Sequence, residues 1–291
     1  MASIFVFPGQ GAQVVGMGKE LYETNADARA VFDEVDDALN EKLSDIIFNG
    51  PMEDLTLTAN VQPAIMATSI AMLRASGAKI PEFVAGHSLG EYTALCAAGA
   101  LSVGDTAKLL RIRGNAMQTA VPVGHGLTAV ILGMDIDTVR QICDTAGCDV
   151  ANDNSAGQVV ISGEKNAVEV AMNMAKEAGA KRAMPLALSV PVHCRIQAPA
   201  AEEMRMALEN VQFNTPSVPL ISNKTCTPLC DVNEIKDALV YQMTHGVRWR
   251  ESVLNMAELG ITEMIEVGPG SVLTGLCSRI TDKITAKKLE I

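Results

Sequence analysis

Short runs of apolar residues alternate with segments in which apolar positions recur every three to four residues. "SIFVFPGQG" near the N-terminus is a compact apolar run closed by a Pro-Gly turn, the pattern of a buried strand. "SIAMLRASG" at 69–77 has helical spacing and a glycine stop, "PEFVAGHS" is predicted as a strand, and "LGEYTALCAAGA" as a helix of small residues. "GDTAKLLRIRGNAMQTA" is an amphipathic helix that carries Arg111 and Arg113. Strands alternating with helices predict an α/β domain with a parallel sheet.

The middle of the chain changes rhythm. "LTAVILG" predicts a strand and "DIDTVRQICDTAG" a helix with acids at its start and glycine at its end. Two strands, "CDVANDNS" and "GQVVISG", are followed by a helix in "EKNAVEVAMNMAKEAGA" and a strand in "KRAMPLAL". That order, βαββαβ, is the split-βαβ or ferredoxin-like pattern. Residues 124–188 are therefore expected to form a small subdomain, inserted into a large domain made of 1–123 and 189–291. The large domain resumes with a helix in "AAEEMRMALEN", a strand in "VPLISN", a helix in "NEIKDALVYQMTHG", and a strand that enters a turn in "ITEMIEVGPG".

Composition narrows the class. With 291 residues and 48% hydrophobic content the chain can bury a large core, and with aromatics at only 3% its aliphatic residues and 15 Met must fill it. A net charge of −11 argues against a nucleic-acid partner or a general membrane-surface binder. The N-terminus lacks a basic region ahead of its short apolar run, so no signal peptide is expected, and no run is long enough for a membrane span. Seven cysteines, an odd count without paired close spacing, fit reduced thiols in a cytoplasmic protein.

The chemistry concentrates around "FVAGHSLGEYTAL". Gly-x-Ser-x-Gly between a strand and a helix is what a nucleophile elbow needs: Gly86 and Gly90 permit the sharp turn, and Ser88 is presented at the strand end. The bland alternative is a serine that caps the helix. Four histidines could serve as its base. His87 sits on the turn beside Ser88, so its side chain is expected to point away. His125 reads as a hinge or surface residue and His245 as a helix-end cap. His193, in "SVPVHCR", follows the serine in chain order and is preferred.

Free backbone N–H groups of the "FPGQG" turn could complete an oxyanion hole, although an ordinary glycine turn explains that segment equally well. Arg113, if buried, would suit a substrate carboxylate; by composition alone a solvent-facing or salt-bridged helix arginine is the commoner case. Cys226 and Cys230 in "CTPLC" have no second ligand pair, so no metal is expected.

Taken together, "FVFPGQGAQ", "AGHSLGEYTAL", "RGNAMQ", "GQVVISG", "SVPVHCR" and "EVGPGSVLTGL" resemble the malonyl-CoA:acyl carrier protein transacylases of dissociated fatty-acid synthesis, in the family order from about residue 4 to 280. The resemblance implies a hydrolase-like α/β domain with a ferredoxin-like subdomain. It also implies a cytoplasmic, monomeric enzyme acting on malonyl-CoA and acyl carrier protein, with no cofactor beyond the groups its substrates carry. By resemblance, Ser88 is the nucleophile, His193 the base, and Arg113 the partner of the malonyl carboxylate. Gln10 and Leu89 match the backbone oxyanion donors, and Gln242 the residue whose main-chain carbonyl orients the histidine. Val192 stands where many polyketide-synthase relatives carry phenylalanine. Lys181, Arg182, Arg195, Arg248 and Arg250 are candidates for a basic face toward an acidic carrier protein. An esterase on the same elbow, a non-catalytic scaffold, and, inside the family, a transacylase serving polyketide synthesis or malonate decarboxylation are the rival readings.

Overall fold

The computed structural model describes residues 2–122 and 124–291; Met1, and Val123 at the expected edge of the insert, lie outside the described residues. Among the described residues, ten strands form two sheets. In the large sheet, β1 (Ala2–Phe7) lies between β2 (Phe83–Gly86) and β9 (Ile261–Glu266). The small sheet holds β3 (Gly126–Leu132), β4 (Asp149–Ser155), β5 (Gln158–Glu164) and β6 (Arg182–Pro185). Beyond β2 the large sheet adds β7 (Leu220–Ile221) and β8 (Pro228–Leu229), and beyond β9 it adds β10 (Thr285–Lys288). All pairs in the large sheet are parallel except β7–β8.

β1 is apolar without alternation because helices cover both of its faces. Phe5 and Phe7 enter the core shared with the helices Ala26–Leu39, Thr58–Ser76 and Val103–Ala120. Ile4 and Val6 point the other way, into a cluster with Trp249, Val253, Leu273 and Leu276.

The small sheet has the order β4-β5-β3-β6 with every pair antiparallel, the arrangement that the βαββαβ pattern requires. Its two helices, Ile136–Ala146 and Lys165–Glu177, bury Val139, Ile142, Val168 and Ala171 in a separate core. We propose 124–188 as the extent of this unit. It is joined to the large domain beyond the chain connections: the Val247 N–H donates to Ala151 O, the Asp153 N–H to Val247 O, and Arg250 forms a two-pronged ion pair with Asp153.

Several elements go beyond the pattern reading. The helix expected at 69–77 begins at Thr58, and four helices between Lys19 and Thr56 were not anticipated, nor were Trp249–Glu258, Val272–Ile280 and β10. The strand expected over 181–188 is only Arg182–Pro185, and that over 218–223 only Leu220–Ile221.

Candidate active site

β2 ends at Gly86, the helix Gly90–Ala97 begins four residues later, and Ser88 stands between them with φ 57°, a left-handed conformation that a serine adopts only at a cost. The flanking glycines make the turn possible. A Cβ on Gly86 would lie 1.8 Å from the carbonyl carbon of Gly90, and one on Gly90 would lie 2.2 Å from Phe7 O. Asn223, just beyond β7, holds the turn from behind. Its Oδ1 accepts the Ser88 N–H at 2.9 Å, and its Nδ2 donates to Gly86 O at 2.7 Å. A single asparagine carries no motif, so the sequence had no signal for it.

His193 brings Nε2 to 2.7 Å from Ser88 Oγ, and its Nδ1 lies 2.5 Å from the main-chain carbonyl oxygen of Gln242. A carbonyl can only accept, so Nδ1 carries the proton and Nε2 offers its lone pair to the serine hydroxyl. His193 is buried, which depresses its pKa to about 3, with the positive charge of Arg113 as the second cause. No carboxylate contacts its ring among the described residues.

The other histidines are placed elsewhere. His87 turns its Nε2 to Asn154 Oδ1 at 2.9 Å and packs near Trp249, away from Ser88 Oγ. His125 is exposed. His245 follows the last helical turn of Val232–Thr244 and stacks on Tyr241.

Arg113 is not the solvent-facing residue that composition favours: it is 1% exposed. The helix that carries it presses against Thr58–Ser76 at Gly114, where a Cβ would stand 2.5 Å from Ala59 Cα. This close approach brings Arg113 to Gln62. Arg113 Nη1 donates to Gln62 Oε1 at 2.7 Å, and Nη2 donates to Gln242 Oε1 at 2.9 Å and to Ser88 Oγ at 3.1 Å. All three acceptors are uncharged, and no carboxylate lies within ion-pair distance of this guanidinium among the described residues. Burial pulls the arginine pKa down, and Tyr92 and Glu91 partly offset that. Gln62 and the side chain of Gln242 were missed by sequence reasoning, for the same reason as Asn223.

These groups open onto a cavity of about 250 Å³ between the two sheets. Gln10, Ser88, Leu89, Arg113 and His193 form its polar side, and Met117, Val160, Leu186, Leu188 and Val192 its apolar side. The backbone N–H groups of Gln10 and Leu89 make no hydrogen bond among the described residues and are free to donate. Cys226 is buried and Cys230 exposed, and no group of three or more metal-ligating side chains is present among the described residues. Of the basic candidates, Arg195, Arg248 and Arg250 are paired with Asp149, Glu251 and Asp153, so they do not offer a free positive face. Lys181 and Arg182 are exposed.

A strand–serine–helix elbow beside a neutral histidine and free N–H donors, in a doubly covered parallel sheet, defines the serine acyl-transfer class of α/β proteins. More narrowly, the chain belongs to the acyl transferase domain family, whose model matches residues 4–289. It is 46% identical over 288 residues to the malonyl CoA-acyl carrier protein transacylase of Bacillus subtilis (strain 168), covering 96% of this chain and 90% of that one. Among solved structures it is similar to the acyl-carrier-protein S-malonyltransferase from Bartonella henselae, with TM-score 0.96 and 52% identity over 99% of this chain and 95% of that one. It also matches a malonyl-transacylase in complex with its type II PKS acyl-carrier protein, with TM-score 0.96 and 40% identity over 99% and 96% of the two chains.

Proposed function

We propose that the protein transfers a malonyl group from malonyl-CoA to the phosphopantetheine thiol of acyl carrier protein, supplying fatty-acid chain elongation. The names of the relatives support this, as does the neighbour solved with a carrier protein. The observation that carries the reading is the buried Arg113, held only by neutral acceptors and 3.1 Å from Ser88 Oγ. A buried guanidinium with no carboxylate in direct contact is a binding site for an anion, and a malonyl group brings a carboxylate to that position.

In the first half-reaction His193 Nε2 takes the hydroxyl proton as Ser88 Oγ attacks the thioester carbonyl. The oxyanion forms beside the N–H groups of Gln10 and Leu89. On collapse the C–S bond breaks, CoA leaves with the proton from His193, and a malonyl-serine ester remains. The carrier thiol then attacks that ester, His193 takes its proton, and Ser88 leaves with it. The carbonyl of Gln242 holds the Nδ1–H tautomer throughout. Arg113 keeps the carboxylate end fixed, so the ester is presented to the thiol in one pose. This chemistry needs no resident cofactor, since CoA and phosphopantetheine arrive as parts of the substrates.

For carrier docking, Lys181 and Arg182 remain the candidates: Arg182 opens β6 with Lys181 just before it, and the chain continues from β6 to Leu186 and Leu188 in the cavity wall. Reversing both charges should raise KM for carrier protein and leave that for malonyl-CoA unchanged; equal KM values would exclude this face. We take the working unit as a monomer in the cytoplasm, where all seven cysteines stay as thiols.

Intact mass after incubation with malonyl-CoA, without acceptor, tests the reading. A malonyl adduct absent from Ser88→Ala and discharged by carrier protein is expected. Release of CoA with no adduct would favour a hydrolase instead.

A further inference from the structure

We infer that Glu91 and the side-chain amide of Gln242 form a positioning pair that keeps the charge of Arg113 free for the substrate carboxylate. This rests on the acyl-transfer reading above. Glu91 lies on the helix after the elbow, is fully buried, and its carboxylate makes no hydrogen bond to Ser88 Oγ or His193 among the described residues. Its Oε1 accepts the backbone N–H of Asn223 at 2.7 Å, and its Oε2 accepts from Gln242 Nε2.

Two consequences follow from that placement. Asn223 is the residue that holds the Ser88 N–H and Gly86 O, so Glu91 anchors the clamp on the elbow. Gln242 is oriented as well. A carboxylate only accepts, so the NH₂ end of the amide must face Glu91 and the oxygen must face Arg113. The carboxylate that balances the buried guanidinium is thereby held one amide away. A carboxylate in direct contact would compete with the substrate. With no acid nearby, the buried cation would lack compensation. Burial raises the Glu91 pKa to about 7, while the donors Asn223, Gln242 and Ser222 and the positive charge of Arg113 favour the carboxylate.

The test compares initial acylation of Ser88 by malonyl-CoA and acetyl-CoA, with thermal melting alongside, in wild type, Glu91→Gln, Gln242→Glu and the double variant. In Glu91→Gln one amide end must face a donor, and the malonyl preference is expected to fall at least about tenfold. Gln242→Glu gives Arg113 an internal carboxylate, and the preference is expected to fall by about 100-fold. That result does not depend on whether Glu91→Gln folds. The double variant restores matched donors and acceptors, so its melting temperature should recover relative to Glu91→Gln while malonyl preference stays low.

Unchanged malonyl-to-acetyl ratios in both single variants would overturn the inference. So would equal slowing with both substrates, which marks a merely structural role. If wild type itself shows no malonyl preference, the functional reading fails and this inference fails with it. The wild-type arm therefore separates the two failures.

Discussion

Arg113 Nη2 donates to Ser88 Oγ at 3.1 Å, although Ser88 sits in the turn between β2 and the helix Gly90–Ala97 and Arg113 on the next helix, Val103–Ala120. The proposed carboxylate clamp and the proposed nucleophile are thus in contact before substrate enters. One guanidinium can grip the far end of a short dicarboxylic acyl group only if its thioester end lies against the serine. A two-carbon acyl group reaches the serine without engaging the arginine. Selectivity is then expected to arise from leaving a buried charge unmatched by substrate, which costs more than a missing contact.

Replacing Arg113 by alanine is expected to lower kcat/KM for malonyl-CoA by about 100-fold or more and to leave acetyl-CoA less affected. Arg113→Lys should recover little, because a single ammonium cannot reproduce contacts to Gln62, Gln242 and Ser88 together. Parallel kinetics with the two thioesters check this.

His193 has a folded pKa of about 3 against 6.5 for an ordinary histidine. Below pH 6.5 the unfolded chain takes up a proton that the folded protein refuses. The stability this gives is complete above pH 6.5 and is expected to drain away as pH falls toward 3. Denaturant midpoints across that range should fall less steeply in His193→Gln. By the same argument, His193 should put no acid limb on kcat/KM near pH 6.5, since it is already neutral there; a limb near pH 7 is expected from Glu91 instead.

Asn223→Ala should strip partners from two backbone groups, the buried Gly86 O and the half-buried Ser88 N–H. A loss of about 2–4 kcal/mol in unfolding free energy is expected. Acylation should also slow, because the strained φ at Ser88 loses its restraint. Urea melts and single-turnover acylation test the two halves separately.

Gly114→Ala pushes a methyl group to within 2.5 Å of Ala59 Cα and 2.6 Å of Thr58 O, both of them backbone atoms that cannot swing aside. The two helices must part, at about 1–3 kcal/mol. Arg113 should then lose register with Gln62, so KM for malonyl-CoA is expected to rise together with the drop in melting temperature.

The local elements around the site were legible in the sequence because their signals are local. Gly86, Ser88 and Gly90 sit between an apolar strand and a small-residue helix; the clash of a Gly86 Cβ with Gly90 is local, and the motif also carries Gly90, whose need is set by Phe7 O on β1. The βαββαβ run was readable because its two helices each bury one face and show their period, while β3 and β5 stand out as short runs of β-branched apolar residues. The helix Thr58–Ser76 shows why such reading stops. Its first half is buried nearly all round, so no polar stripe marks it, and Pro63 lies within it. The helices between Lys19 and Thr56 include short ones of five to seven residues, too brief to declare a period.

What the sequence determined by itself was the order of elements, the elbow, and a short list of residues able to do acyl-transfer chemistry. Only the tertiary structure decided which of four histidines meets Ser88, that Arg113 is buried, and that Gln62, Glu91, Asn223 and the Gln242 side chain hold the site in place. The reason is physical. Those contacts join residues 51 to 151 positions apart, each through one or two hydrogen bonds, and a single polar side chain in a buried spot leaves no periodic trace in the chain that encodes it.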